Sequence, residues 1–554
     1  MTKAVIDIET DGLNATKIHC IVASSYLNNK TKTWIGEECK HFPEWASQIT
    51  EFIMHNGVSF DAPVINRLLG TTIPLNKIRD TLLESQLYNP IREGGHSLES
   101  WGERLNYPKG DFHDFQDFTP EMLEYCKRDI ELTKKVAITL EKEAKYFSYK
   151  AYDMERKVRA IIDKQHINGF AFNLRDAILL ESKLMDEQSN LEKQAEENFE
   201  PTFIELKTKT KEIPFNIASR MQIADRLMKR GWKPKKFGKE IELKDGTTKR
   251  NVIVSEEILD KINMPEAKMF SRYFLLQKRT GLLKSWIKEC QEDERVHGKV
   301  LTLRTVTGRM AHHSPNMAQV PAIYSPMGKE CRSLWTVSNP ETHSLVGTDA
   351  SGLEIRCLAH YMNDPKFTDT VLSGDVHTAN QKAAGLKTRD QAKTFIYAFL
   401  YGAGAAKIGK VVGGNAQQGQ ALINKFLSNM PALKRLRENV QKRVQKHDTI
   451  KGLDGRLLHI RSPHSALNTL IQGGGAIICK QWLVHLIERL TRAGLDARLV
   501  ASVHDEYQFE VAKADIERFC RVTKEAMKQT QRTLEARCEL DCDYKVGRTW
   551  ADTH

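Results

Sequence analysis

Asp7 and Glu9 stand two residues apart in Ala-Val-Ile-Asp-Ile-Glu (4–9), a run that is otherwise apolar. Side chains alternate between the faces of a strand, so a strand here points both carboxylates the same way. Unpaired acids on an apolar strand are costly to desolvate. A hard divalent cation such as Mg²⁺ or Mn²⁺, held through oxygen, removes that conflict. The pair alone is also what two acids at a strand end facing water look like. Two later stretches extend the pattern. Asp61 closes His55-Asn56-Gly57-Val58-Ser59-Phe60-Asp61, and Tyr125 and Asp129 are four apart in a helical stretch, hence on one face. Asp7, Glu9, Asp61 and Asp129 together can hold two metal ions about 4 Å apart, which clamp the attacking and leaving oxygens of a phosphodiester. Tyr125 can then orient the attacking water.

A second acidic pair lies in the other half of the chain. Asp349 ends the apolar run Leu-Val-Gly-Thr-Asp, and Asp505 sits in the turn between Arg498–Val503 and Tyr507–Val511. Strand ends of one sheet can bring them together, and two aspartates suit a Mg²⁺ pair for phosphoryl transfer. Either one alone also reads as an ordinary turn acid. Between them, Arg389, Lys393, Tyr397 and Tyr401 recur every four residues. Each such step turns a helix face by about 40°, so Arg389, Lys393 and Tyr397 span roughly 80° with Tyr401 at the edge. Such a stripe can grip a triphosphate and stack a base or sugar. It equally describes a solvated cationic face over core aromatics.

The elements that must carry these residues are legible. Strand and helix patterns alternate to about residue 140, where Ile-Thr-Leu-Glu-Lys-Glu-Ala-Lys closes a helical stretch. Long amphipathic helices are predicted from about 151 to 198, and another over Glu266–Glu289. The stretch 199–250 is Lys-rich, with Trp232 isolated in it and no sustained period. A second α/β region begins near 300, helices dominate 375–447, and two strands meet at His504-Asp505.

The whole chain has 554 residues, 40% apolar and 28% charged, with 83 Lys+Arg against 71 Asp+Glu. That excludes wholesale disorder, a collagen-like chain and a disulfide miniprotein. At ~100–200 residues per domain, three to five domains are expected. No run approaches the ~18 uninterrupted apolar residues of a membrane span, and the N-terminus carries no secretory or transit pattern. Cytoplasmic residence and no membrane partner are the expectations. The ten cysteines form no CxxC pair, and Cys538 and Cys542 alone make no zinc site, so all are read as reduced thiols. The net charge of +12 permits a polyanionic partner and equally serves solubility.

Taken together, DIET (7–10), Asn56…Phe60-Asp61 and Tyr125…Asp129 resemble the three motifs of DnaQ-like 3′→5′ proofreading exonucleases. The resemblance implies a ribonuclease-H-like domain whose metal ligands are Asp7, Glu9, Asp61 and Asp129. DASGLEIR (349–356), Arg389…Lys393…Tyr397 and VHDE (503–506) are similar to motifs A, B and C of family A DNA polymerases. Longer strings, among them TGRM (307–310), TFIYAFLYGAG (394–404), KGLDGR (451–456) and RSPHSALNTLIQ (461–472), look most like the replicative polymerases of odd-numbered T phages. The implied architecture is α/β and multidomain, an exonuclease domain followed by a right hand. Its expected bounds are 1–150 exonuclease, 151–300 thumb, 301–365 palm, 366–450 fingers and 451–554 palm again.

The same resemblance assigns roles. Asp349 and Asp505 match the palm aspartates that hold two Mg²⁺, and two more are implied in the exonuclease site, with Mn²⁺ as a substitute. Glu354 matches the acid that crowds the sugar 2′ position. His377, Arg389 and Lys393 match residues that hold the incoming deoxynucleoside triphosphate, and Lys393 can protonate the leaving pyrophosphate. Tyr397 occupies the position at which Tyr resembles enzymes that accept dideoxynucleotides, and Tyr401 stacks near the templating base. Arg309, Gln472 and His504 match contacts to primer–template DNA, and Glu506 is a secondary acid near the metals.

The stretch 199–215 is too short for the thioredoxin-binding thumb insertion of some T-phage polymerases, so thioredoxin is not an expected partner. A phage helicase–primase and single-strand binding protein fit the resemblance, and a monomer is expected. Lys207, Lys209, Lys233 and Lys235 in the Lys-rich segment are candidates to grip duplex phosphates. Two competing readings are an exonuclease with an inactive polymerase hand and a non-catalytic DNA-binding replication protein.

Overall fold

The computed structural model describes residues 2–205, 210–242, 247–374 and 376–554. Lys207 and Lys209 lie outside the described residues.

The N-terminal unit is a mixed five-stranded sheet of β1 (Lys3–Thr10), β2 (Ile18–Ser25), β3 (Thr31–Ile35), β4 (Glu51–Met54) and β5 (Ile78–Asp80), in the order β3-β2-β1-β4-β5. β1 is central, antiparallel to β2 and parallel to β4. Its alternation explains its composition. Ala4, Ile6 and Ile8 face one buried cluster, and Val5 faces another shared with Cys126 and Ile130. Asp7 and Glu9 have the parity of Val5 and so share its face. α1 (Asp61–Leu69) follows β4, and α2 (Pro120–Ala144) lies across the Val5 face. Pro120 starts α2, and the Thr119 hydroxyl accepts the Met122 N–H at 3.2 Å.

α3 (Tyr149–Asn168) joins this unit to the rest of the chain and is bonded on both sides. Toward the sheet, the Tyr152 hydroxyl accepts the Asp80 N–H at 2.7 Å, and Arg156 donates to the Ile78 carbonyl at 2.9 Å. Toward the C-terminal half, fully buried Glu155 accepts Lys480 at 2.8 Å and pairs with Arg456 at 2.7 Å.

α4 (Leu174–Asn198) and α5 (Pro265–Glu289) form a long arm tied by the bidentate pair Arg272–Glu187, at 2.7 and 2.8 Å. At one end Leu184, Leu283 and Trp286 pack with Leu345, Val500 and Val503. At the other end a separate core forms around Phe199, Phe215, Leu227, Leu259 and Phe270. Here the structure differs from the irregular segment predicted over 199–250. It contains the hairpins Thr202–Glu205/Thr210–Ile213 and Phe237–Glu242/Thr248–Val252, with the helix Arg220–Lys229 between them. The second hairpin is wet on both faces, so no apolar alternation announces it.

The C-terminal half is built on an antiparallel sheet of β6 (His343–Ala350), β7 (Ala497–Val503), β8 (Glu506–Ala512) and β9 (Cys542–Gly547), ordered β7-β8-β6-β9. α6 (Leu353–Met362), α9 (Ala466–Arg492) and α10 (Ile516–Thr533) share a core with it. Between α6 and α9 lies a helical segment containing α7 (Val376–Ala384) and α8 (Arg389–Leu400). α9 is long and apolar enough for a membrane span, but 78% of its most apolar window is buried inside the protein, which is how a core helix behaves. A methyl group on Gly474 would stand 2.3 Å from the Cys357 sulfur, so only glycine lets α6 lie this close to α9.

Candidate active sites

β1, α1 and α2 bring all four N-terminal acids to one place. Asp61 opens α1 and Asp129 lies on α2, both buried, beside Asp7 and Glu9. Burial first, then Glu9, Asp61 and Asp129, raises the Asp7 carboxyl well above the usual range. Burial, with Cys20 and Asp129 nearby, pushes Glu9 up to about 9. Asp61 rises to about 7, mainly through burial. The Asp129 carboxyl is also raised by burial, against the pull of Lys109. Tyr125 is half-buried, one turn before Asp129, against Phe112 and Phe115. Asp129 Oδ1 is buried with no hydrogen-bond partner. Carboxylate oxygens gathered in this way suit a hard divalent cation, and an orphaned buried oxygen is the atom such an ion would satisfy.

The second pair is set by sheet register. β6 runs antiparallel to β8 with Asp349 opposite Glu506, and β7 meets β8 through the two-residue turn His504-Asp505. His504 adopts a left-handed φ of 58°, as tight hairpin turns require. The Ala350 N–H donates to the Asp505 carbonyl at 3.1 Å, which locks the turn against the end of β6. Asp349 and Asp505 are thus neighbours. Burial raises Asp349 to about 7, helped by Asp505 and then Glu506, and burial with Glu354 raises Asp505. Glu506 is different. It accepts Trp550 Nε1 at 2.6 Å, His554 Nδ1 at 2.8 Å and the Gln508 amide, and these partners outweigh burial to lower its pKa. Its carboxylate is fully engaged toward the C-terminus.

Glu354, in the first turn of α6, accepts both Arg309 and the Tyr401 hydroxyl at 3.1 Å. Tyr401 stacks with Tyr397 at 6.3 Å between centroids, and Tyr397 meets the His377 ring at the same separation. Arg389 and Lys393 are exposed on α8. Burial and then these two cations lower the His377 pKa, which places the three groups together. Arg309, His504 and Asp505 line one small cleft with Gly475 of α9. Gln472 is half-buried on α9, one turn before Ala476, which lines the same cleft.

Three further residues at these sites carry no signal in the sequence. Lys109 sits 3.0 Å from Asp129, in a loop without periodicity to mark it. The Cys126 thiol is 3.5 Å from Asp7. Asp543 on β9 stands opposite Asp349 and accepts the Ser351 hydroxyl at 2.7 Å. Its strand reads Asp-Tyr-Lys-Val, whose alternation is visible, but its neighbour in the sheet is not.

Comparison with known proteins places the chain in a family. The model of DNA polymerase family A matches residues 182–552. The DNA-directed DNA polymerase of Enterobacteria phage T3 is 30% identical over 715 aligned positions, covering 99% of this chain and 100% of that protein. That of Escherichia phage T7 is also 30% identical, with the same coverage of both. The aligned span of 715 positions exceeds the 554 residues here, so the T3 protein carries internal segments that this chain lacks. DNA polymerase I of Geobacillus stearothermophilus is 28% identical over 55% of the chain and 37% of that protein. Among solved structures, the polymerase domain of Pol1 from M. smegmatis, in complex with DNA primer-template and dNTP, superposes with a TM-score of 0.80 at 17% identity. That match covers 100% of this chain and 96% of the other. On the extent of these matches, the chain belongs to DNA polymerase family A.

Proposed function

We propose that the chain is a template-directed, primer-dependent DNA polymerase of phage replication with a 3′→5′ proofreading exonuclease in its N-terminal unit. The observation that carries the polymerase reading is the register that sets Asp349 beside Asp505, in a chain whose α8 presents Arg389 and Lys393 near His377. In this reading β6–β9 are the palm, the helices between Pro365 and Lys446 the fingers, and the α4–α5 arm the thumb. The N-terminal sheet is ribonuclease-H-like in strand order.

Asp349 and Asp505 would hold divalent cations in the palm, and Asp7, Glu9, Asp61 and Asp129 in the exonuclease site. Bound there, Mg²⁺ or Mn²⁺ supplies Lewis-acid stabilisation of the phosphoryl oxygens in both reactions. The protein's own groups bind and orient. His377, Arg389 and Lys393 take the triphosphate, and Lys393 gives a proton to the leaving pyrophosphate. Glu354, held by Arg309 and Tyr401, fills the space beside the sugar 2′ carbon and so disfavours ribonucleotides. Arg309, Gln472 and His504 line the path of primer–template DNA. Tyr125 orients water in the exonuclease site.

Primer extension on a recessed template and degradation of a single-stranded oligonucleotide test both activities. Asp349→Ala abolishes extension and spares degradation, and Asp7→Ala does the reverse. If the wild-type chain degrades DNA but never extends a primer, it is instead an exonuclease with an inactive hand. If it does neither, it is a DNA-binding replication protein. Added thioredoxin leaves product length unchanged; a clear increase refutes that part of the reading.

A further inference from the structure

Lys109 is no stray surface lysine. Its loop, Tyr107-Pro108-Lys109-Gly110, is fastened to α2, the helix that carries Tyr125 and Asp129. Arg128 donates to the Pro108 carbonyl at 2.7 Å and lies over the Tyr107 ring at 4.4 Å. The loop also presses on Gly102, where a methyl group would stand 2.9 Å from the Lys109 backbone nitrogen. The ammonium so placed sits 3.0 Å from Asp129 Oδ2 and 4.9 Å from the centre of the Tyr125 ring, over its face. One side chain therefore spans a metal-binding carboxylate and the phenol expected to orient water.

We propose that Lys109 is a positioning residue of hydrolysis: it holds the Tyr125 ring relative to Asp129, and so sets where the phenol presents the attacking water. The proposal rests on the exonuclease reading of the N-terminal site. A flexible lysine would do this poorly, because three rotatable donors on a long stem define no direction. Here the anchored loop, the Asp129 carboxylate and the Tyr125 ring face supply the direction. Displacing a reacting group by about 1 Å costs on the order of a hundredfold in rate, so the contact matters to turnover even though Lys109 takes no part in bond making or breaking.

The test uses the full chain. Lys109→Ala and Lys109→Met lower the turnover of single-strand degradation by roughly ten- to a hundredfold, with KM little changed, and Lys109→Arg recovers part of the loss. The double variant K109A/Y125F is no slower than the slower single variant, because both changes remove one shared device. Calorimetric titration of the DNA-free protein with Mn²⁺ shows affinity undiminished in K109A, since the ammonium competes with metal for Asp129. Primer extension by the same preparations reports that the variants have folded. Wild-type turnover in both K109A and K109M, strictly additive losses in the double variant, or a fall in Mn²⁺ affinity that matches the fall in rate would each overturn the proposal. A wild-type chain that degrades no DNA, or an Asp7→Ala chain that degrades it normally, instead overturns the exonuclease reading.

Discussion

Each carboxyl of the N-terminal site is held away from its ionised form by the fold, and this has a sign. Glu9 rises from an ordinary 4.5 to about 9, and Asp61 from 3.8 to about 7. Folding therefore favours their protonated forms. Below the unfolded values both states are protonated and nothing is lost. As pH climbs to about 7 for Asp61 and about 9 for Glu9, the metal-free fold loses stability progressively. A divalent cation reverses the preference. Differential scanning fluorimetry should show Mn²⁺ raising Tm more at pH 8 than at pH 5.5. Asp7→Asn should raise the Tm of the metal-free chain at pH 8, because one carboxylate leaves the cluster; a lower Tm there would contradict the assigned strain. The acids themselves were legible in the sequence, because an acid on an apolar strand contradicts its surroundings. Lys109, Cys126 and Asp543 were not, because nothing about a lysine in a loop or an acid in an edge strand is locally anomalous. Their meaning lies entirely in what the fold sets opposite them.

At the level of elements, two devices hold the second site. The first is the close crossing of α6 and α9. Gly474→Ala drives a methyl group into the Cys357 sulfur and the Tyr361 ring. Overpacking of this kind costs about 1–3 kcal/mol. It also pushes the start of α6, and with it Glu354, out of place. Lower Tm together with weaker rejection of ribonucleotides is the expected result, measured by scanning fluorimetry and by competition between ribo- and deoxynucleotides. The second device is the buried set Glu155, Lys480, Arg456 and Asp454, which staples α3 to α9 and to the turn after Lys451. Removing one member leaves an uncompensated buried charge. Glu155→Gln should therefore cost about 3–5 kcal/mol, read from urea unfolding. The strands and long helices here follow their sequence periodicity. The staple does not, since Glu155 looks like a solvated residue on an amphipathic helix and Lys480 is a lone cation in the apolar α9, and neither sequence names its partner.

A cluster of lysines lies at the opposite end of the α4–α5 arm from the Asp349–Asp505 pair. Trp286, at one end of α5, packs against the strands that carry the Asp349–Asp505 pair. The same helix begins at Pro265 and joins the separate core at the tip through Ala267 and Phe270. At 1.5 Å per residue, the helix runs about 30 Å from Pro265 to Trp286. Lys233, Lys235, Lys236 and Lys239 are all exposed there, and none forms a salt bridge among the described residues. Each DNA strand carries a phosphate about every 3.4 Å, so a duplex running along the arm would reach the tip roughly nine base pairs behind the primer end. This separation makes a length-dependent prediction. Replacing the four lysines with glutamine should weaken binding of long primer–templates and flatten the salt dependence of log Kd, by about 0.9 for each phosphate no longer neutralised. Duplexes shorter than about nine base pairs should bind both chains alike, and single-turnover incorporation should be unchanged. Fluorescence anisotropy over a series of duplex lengths and salt concentrations measures both effects. An equal salt slope on long duplexes would make the lysines a solvated face. Weaker binding already present on the shortest duplexes would mean that the arm lies down toward the palm instead of standing off it.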